Sequence, residues 1–353
     1  MPFIAAVSKT DLPYKTDQQE VKHYARQLFS SDFPHADRLM EAFDNTEIRQ
    51  RNFCRPLDYY ATLKTFEHRN NEFIATSLKY SVQAAHNCIA AAGVHKNEIT
   101  DILFVSSTGL ATPSMDALII NEMRLNQHIN RTPIFGLGCG GGVSGVGKAN
   151  AIAKGNPDAV VLLIAVELCS LTFLRNDYSK SNFIASSLFS DGIAAVIVKG
   201  DNHNQRSNLV SVVASGSKLY YDSLNIMGWE FLDEGFKVIF SKDIPAFIHK
   251  NVKHDAKAFL ARHGLELGDI QNFVFHPGGK KVLAAYDEAL GLKQHDLYNT
   301  REIMANYGNM SSVTVLYVLE RFMDQGFTEG YGLMMAMGPG FSSEMVLLRM
   351  NKG

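Results

Sequence analysis

The sequence predicts a layered α/β protein. Three observations carry that expectation: short segments apolar at successive positions, stretches of helical spacing with recognisable ends between them, and a length of 353 residues of which 46% are hydrophobic. Segments apolar on both faces suit strands buried between two layers of helix. A chain of this length has material for one large or two medium domains.

Taken in order, the first element is helical. "NEFIATSLKYSVQAAHNCIAAAG" from Asn71 sets Ile74, Leu78, Ser81, Ala85 and Ile89 near one stripe and stops at Gly93. Strands are expected at "DILFVSS" from Asp101 and "TPIFGLG" from Thr132, the latter ending in a tight turn. A helix follows through "VSGVGKANAIAKG", where Ser144, Gly145 and Gly147 permit close packing in the interior. Further strands are expected at "DAVVLLIAVE" from Asp158, "IAAVIVKG" from Ile193, "LVSVVASG" from Leu209, "NFVFHPGG" from Asn272, "YGLMMAMGPG" from Tyr331 and "MVLLRM" from Met345. "SSVTVLYVLERFMDQG" from Ser311 reads as a helix opened by hydroxyl caps and closed at Gly326. A faint echo between "FVSSTG" and "FVFHPGG" hints at two similar halves whose strand ends converge. The polar segment "KGDNHNQRSN" from Lys199 to Asn208 is the expected junction, giving halves 1–204 and 205–353.

Composition narrows the function. The formal net charge is −2 and no basic run tracks phosphates, so nucleic acid and anionic membrane are poor partners. The longest apolar run, "AVVLLIAV" from Ala159, falls far short of the roughly 18 residues of a membrane span. The apolar stretch Phe3 to Val7 is too short for a signal-peptide core, so a cytosolic protein is expected. Cys54, Cys88, Cys139 and Cys169 are too scattered for a disulfide framework or a C-x-x-C zinc site, and read as reduced thiols, three of them buried small hydrophobes.

The stretch "GLGCGGGVSGVGKAN" from Gly136 admits three chemistries. Gly142 to Lys148 resemble a phosphate loop, but Ala149 stands where a magnesium-binding hydroxyl is required. Gly136, Gly138 and Gly141 spell a dinucleotide fingerprint, but Glu167 lies well past the distance for the ribose-binding acid. The third reading makes Cys139 a nucleophile in the first turn of a helix, where free N–H groups and the helix dipole favour thiolate. A buried inert cysteine is the default unless partners exist. His276, at a strand end before a Pro-Gly-Gly turn, and Asn309, in a turn before a helix, complete a Cys, His and Asn set at element boundaries.

With those residues in place the chain resembles a type III polyketide synthase, the chalcone synthase-like branch of the thiolase fold. The matching motifs are "GLGC" at Cys139, "VELCSLTF" from Val166, "SLFSDGIAAVIV" from Ser187, "HPGG" from His276, "YGNMSS" from Tyr307 and "GPG" from Gly338. The resemblance implies a five-layered α/β/α/β/α fold of two pseudo-equivalent halves and a homodimer. It implies catalytic Cys139, His276 and Asn309, with Phe189 shaping the passage where the CoA arm enters. Acyl-CoA and malonyl-CoA are the implied substrates, and no metal, flavin or nicotinamide is required.

Three alternatives stay open. Ketoacyl-ACP synthase III shares the Cys, His and Asn set, but its histidine stands in an HQAN-like context rather than "HPGGKK". Hydroxymethylglutaryl-CoA synthase requires a glutamate base, for which Glu167 is the candidate. A non-catalytic acyl-binding protein of the same fold would predict a damaged catalytic set, and all three members are intact.

Departures from the plant pattern bear on substrate. "STGLATPS" from Ser107 replaces "TSGVDMPG", so Thr112 stands where a larger Met reaches across the dimer, and Val238 stands where the plant entrance has a second Phe. These smaller residues resemble bacterial enzymes that take fatty acyl starters to alkylpyrones or alkylresorcinols. Thr108, Cys169, Thr172, Gly228 and Ser311 join Phe189, Thr112 and Val238 as expected substrate contacts. Of the basic CoA-binding set Arg38 matches, whereas Glu41 and Asn45 fall at basic positions; Arg49, Arg51, Lys280 and Lys281 are the cations left to compensate.

Overall fold

The computed structural model describes residues 1–29, 36–203, 209–293 and 295–352. In chain order the first half supplies β1 (Phe3–Lys9), β2 (Tyr14–Asp17), α1 (Gln18–Phe29), α2 (Ala36–Asp44), β3 (Gln50–Phe53), α3 (Phe66–Ala92), β4 (Asp101–Ser106), α4 (Met115–Met123), β5 (Asn130–Phe135), α5 (Gly141–Gly155), β6 (Val160–Leu168), α6 (Lys180–Leu188) and β7 (Asp191–Lys199). The second supplies β8 (Leu209–Leu219), β9 (Met227–Leu232), β10 (Gly235–Phe240), α7 (Ile244–Ala261), β11 (Ile270–Phe275), α8 (Lys280–Leu290), α9 (Tyr298–Tyr307), α10 (Thr314–Gln325), β12 (Gly330–Gly338) and β13 (Ser342–Asn351). Of the expected junction, residues 204–208 lie outside the described residues.

Nine strands follow the order β11-β12-β13-β8-β1-β7-β6-β4-β5. Within the sheet the two halves meet between β1 and β8, where Phe3 pairs with Ser211 and Ile4 with Val210. The apolar runs are buried on both faces, as their composition demands. In β6, Val161, Leu163 and Ala165 face one core while Val160, Leu162 and Ile164 face another; β4 and β7 alternate the same way. In β13, Val346 and Leu348 join the first of those cores and Met345 and Leu347 a third.

The shared core is therefore the middle of five layers. It holds α5 and α10 between the two wings of sheet, with α3 and α4 outside the first wing and α7 and α8 outside the second. Small residues let α5 fit there: a Cβ on Gly145 would lie 2.9 Å from Leu163 of β6, and one on Gly147 would lie 2.9 Å from Ser215 of β8. The expected hydroxyl-capped helix at Ser311 differs in detail. Ser311–Val313 form a 3₁₀ turn, α10 starts at Thr314, and the Thr314 hydroxyl accepts the Met310 N–H at 2.8 Å. Among the described residues no helix is long and apolar enough to cross a membrane.

Candidate active site

Cys139 sits in the 3₁₀ turn Gly138–Gly140 that feeds directly into α5. Two requirements meet at Gly138: its φ is +44°, and a Cβ there would lie 2.6 Å from the ring of Pro339, just beyond β12. The Gly138 N–H donates to Ser107 Oγ at 2.9 Å, so the turn is held from both halves. Cys139 is buried and its Sγ lies 3.7 Å from Ser311 Oγ.

His276 follows β11, and its N–H donates to Met335 O at 2.9 Å, continuing the pairing with β12. Gly278 and Gly279, at φ +59° and +143°, then turn the chain into α8. Asn309 follows α9, and its side-chain Nδ2 donates to Gly278 O at 3.3 Å while Oδ1 accepts from Ser311 N at 2.8 Å. That second bond fixes which way the amide points. Ser311 has φ +49°, a left-handed conformation that an L side chain adopts at some cost.

The electrostatics correct one expectation. Burial pushes the Cys139 thiol up to about 12; the Ser311 hydroxyl opposes this and Glu167 adds to it. Burial likewise lowers His276 to about 3, and neither ring nitrogen has a hydrogen-bond partner. Burial thus disfavours the charged form of both groups, the reverse of the thiolate expected at a helix N-terminus. The other three cysteines are also buried, as expected for inert thiols.

On sequence, Glu167 reads as a ribose-binding acid at the wrong spacing or as a base. The structure makes it a fully buried clamp, accepting from Ser107 N at 3.1 Å, Thr108 Oγ1 at 2.9 Å and Ser312 Oγ at 2.7 Å. Burial raises its carboxyl to about 7 against those hydrogen bonds. It thereby ties the loop after β4 to the turn before α10. The cluster of hydroxyls around one acid was the available signal, dispersed over two halves of the sequence.

A mostly apolar cavity of about 80 Å³ is lined in part by Phe189, Cys169, Thr172 and Val238, and not by Cys139, His276 or Asn309. Phe189 also forms a backbone bridge with Asn309, with Asn309 N donating to Leu188 O at 3.0 Å and Ser190 N donating to Asn309 O at 2.8 Å. Thr108, Thr112, Gly228 and Ser311 do not line this cavity. Thr108 spends its hydroxyl on Glu167, Thr112 is exposed, Gly228 lies on β9 facing open space, and Ser311 belongs to the Cys139 turn.

The basic residues are arranged differently from the expectation of free cations. Lys280 Nζ pairs with Glu47 at 3.1 Å, and Arg49 pairs with Glu302. Arg51 is fully buried rather than at the surface. Arg38 lies in α2, and its side chain is outside the described residues. Among the described residues no three His, Cys, Asp or Glu side chains are grouped to hold a metal ion.

Comparison with known proteins gives this geometry its family. Residues 36–202 match the N-terminal domain of chalcone and stilbene synthases, and residues 212–351 match the C-terminal domain. A putative chalcone synthase of Bacillus subtilis is 40% identical over 100% of both chains. A 1,3,6,8-tetrahydroxynaphthalene synthase of Streptomyces peucetius is 36% identical over 98% of this chain and 92% of its own. The crystal structure of the Streptomyces coelicolor 1,3,6,8-tetrahydroxynaphthalene synthase, a bacterial type III polyketide synthase, superposes with a TM-score of 0.94 at 26% identity, covering 99% of this chain and 100% of its own. A polyketide synthase of the brown alga Ectocarpus siliculosus superposes at 0.92 with 25% identity, covering 99% and 98%. The layers described above are those of the thiolase fold that these enzymes share. The chain belongs to the chalcone and stilbene synthase family and is a type III polyketide synthase, an enzyme of the acyltransferase kind.

Proposed function

We propose that this chain takes an aliphatic acyl group from CoA onto Cys139 and extends it with malonyl-CoA by decarboxylative Claisen steps to an alkylpyrone or alkylresorcinol. The observation that carries the reading is the apolar cavity whose wall residue Phe189 is bridged to Asn309. An acyl chain buried there gains roughly 0.8 kcal/mol per methylene, which makes starter length a strong selector.

Starter loading begins with transfer of the Cys139 proton to His276. Each group is neutral when alone, but the thiolate and imidazolium formed together stabilise each other. The thiolate attacks the starter thioester, and CoA leaves as its thiol with the proton. Malonyl-CoA then loses carbon dioxide, and the enolate oxygen is held by the His276 ring N–H and the Asn309 amide. One such preorganised donor contributes roughly 3 kcal/mol at the transition state. The enolate carbon attacks the Cys139 thioester, the carbon–sulfur bond breaks, and the chain is two carbons longer. None of these steps draws on a metal, flavin or nicotinamide.

A homodimer is part of the reading. β5 is an edge strand of the sheet, Phe135 on it is 47% exposed, and Thr112 is exposed in the loop leading to α4. An edge strand bearing an exposed aromatic side chain is a surface on which a second copy can pack. The name of the Streptomyces peucetius relative favours a second product class, a polyhydroxylated aromatic. Mass spectrometry of products from malonyl-CoA with acetyl through long-chain and phenylpropanoid starters separates the two, with Cys139→Ala as control. Fatty-starter pyrones or resorcinols absent in the variant support the proposal; a tetrahydroxynaphthalene from malonyl-CoA alone supports the second reading. No product and no acyl group on Cys139 would overturn both.

A further inference from the structure

Arg51, on β3, is 1% exposed and lines the cavity beside Phe189. Its Nη1 donates to Ser186 O at 2.7 Å and Phe189 O at 2.8 Å, closing the end of α6. Its Nε and Nη2 have no hydrogen-bond partner. The guanidinium lies against two aromatic rings, 5.8 Å from the Phe43 centroid and 5.2 Å from Phe53. Asp191 is the buried carboxylate whose charge acts on it, but the Asp191 oxygens are already taken by Cys54 N, Ser170 N and Ser170 Oγ.

Four other polar side chains of the wall spend their donors within the protein. Tyr60 donates to Ser170, Thr172 to Cys169 O, Asn182 to Leu174 O and Asp177 O, and Ser186 to Asn182 O. Burial lowers Arg51 to about 9, so it remains charged at neutral pH. An apolar slot with an unspent cationic fork matches an apolar chain that ends in a carboxylate, which a guanidinium recognises through paired N–H donors.

We propose that Arg51 makes this cavity a carboxylate-anchoring subsite, taking either the distal carboxylate of a dicarboxylic acyl group whose other end is the CoA thioester, or a free alkanoate. The inference rests on the acyl-cavity reading above and specifies the substrate class that cavity prefers. In a purely structural role Arg51 would only close α6, and the cavity would not distinguish an acid from its ester.

Trp229, the single tryptophan, lines the same cavity, so binding is read by its fluorescence without turnover. The intact protein is titrated with octanoate and methyl octanoate. Octanoate is expected to bind about 10-fold more tightly, the effect of a charge-assisted hydrogen bond. Arg51→Met is expected to erase that preference without weakening the ester, and Arg51→Lys to restore part of it. Equal binding of acid and ester by the wild-type protein overturns the proposal, as does a preference that survives in Arg51→Met. If the variants do not fold, the wild-type comparison decides alone.

A second arm separates the two sources. Cys139 labelling by suberyl-CoA and octanoyl-CoA is followed by intact mass. Faster labelling by suberyl-CoA assigns the subsite to the starter's far end; equal labelling with the acid preference intact assigns it to a free alkanoate. Failure of both thioesters to label Cys139 removes the synthase reading while the fluorescence result still tests the anchor.

Discussion

At the residue scale, burial governs the two titratable groups of the proposed reactive centre. The Cys139 thiol is pushed up to about 12 and His276 lowered to about 3 by burial, and in the proposed mechanism neutral-pH reactivity depends on the proton passing from one to the other. His276→Gln is expected to slow alkylation of Cys139 by iodoacetamide at pH 7 by about 100-fold, with the rate recovering as the pH approaches that of the isolated thiol. A rate unchanged by the substitution would show that Cys139 ionises without the histidine. Glu167 gives a stability prediction of definite sign. Its carboxyl lies near 7 in the fold and 4.5 in the free amino acid, so the folded state binds more protons between those values. The stability this proton confers is complete below pH 4.5 and is lost as the pH rises through 7, by about 3 kcal/mol. Thermal melts from pH 5 to 8 should show the wild-type protein losing more stability than Glu167→Gln, whose amide can keep an oxygen toward Ser107 and Thr108 and a nitrogen toward Ser312.

At the element scale, the wall of the cavity is made by pieces of different rigidity. Cys169 opens the 3₁₀ turn directly after β6 of the large sheet, whereas Val238 lies on β10, which pairs with β9 in a separate two-stranded sheet. Cys169→Phe and Val238→Trp should each exclude long starters while short ones still turn over, measured as kcat/KM across an acyl-CoA series. Unchanged chain-length preference in both would remove the cavity from the acyl path. These elements were readable in the sequence to different degrees. The strands at Asp101, Val160, Asp191 and Gly330 announced themselves because both faces are buried. β5 was harder, since its edge position leaves Arg131, Pro133 and Phe135 without an apolar run. The ribbon of β9 and β10 carried no periodic signal at all, and only alignment to a family motif brought Val238 into view.

At the scale of the whole molecule, the halves depend on a layer that neither owns. α10 comes from the second half, yet Glu320 pairs with Lys9 of β1 at 2.8 Å and the Tyr317 hydroxyl donates to Ile193 O of β7. A fragment of residues 1–204 would leave the inner faces of β4, β6 and β7 with α5 alone. It is expected to aggregate or bind a hydrophobic dye by itself and to become soluble when coexpressed with 205–353. A soluble, sharply melting fragment would show that the first half is an independent domain. Cys139, His276 and Asn309 were legible singly, as residues at element boundaries, and the resemblance joined them. The clamp at Glu167 and the burial of Arg51 were not legible, because each depends on side chains brought from distant parts of the chain into one dry interior.

The backbone bridge between Phe189 and Asn309 constrains how such an enzyme can change. A substitution at Phe189 that reshapes the cavity also pulls on the turn carrying Asn309, the proposed enolate donor, so on that reading substrate range and turnover are coupled there. The ribbon holding Trp229 and Val238 is hydrogen-bonded as a sheet of its own. New starters are therefore more readily acquired through that ribbon, where a lineage can explore side chains without disturbing the chemistry, than through the residue nearest to it.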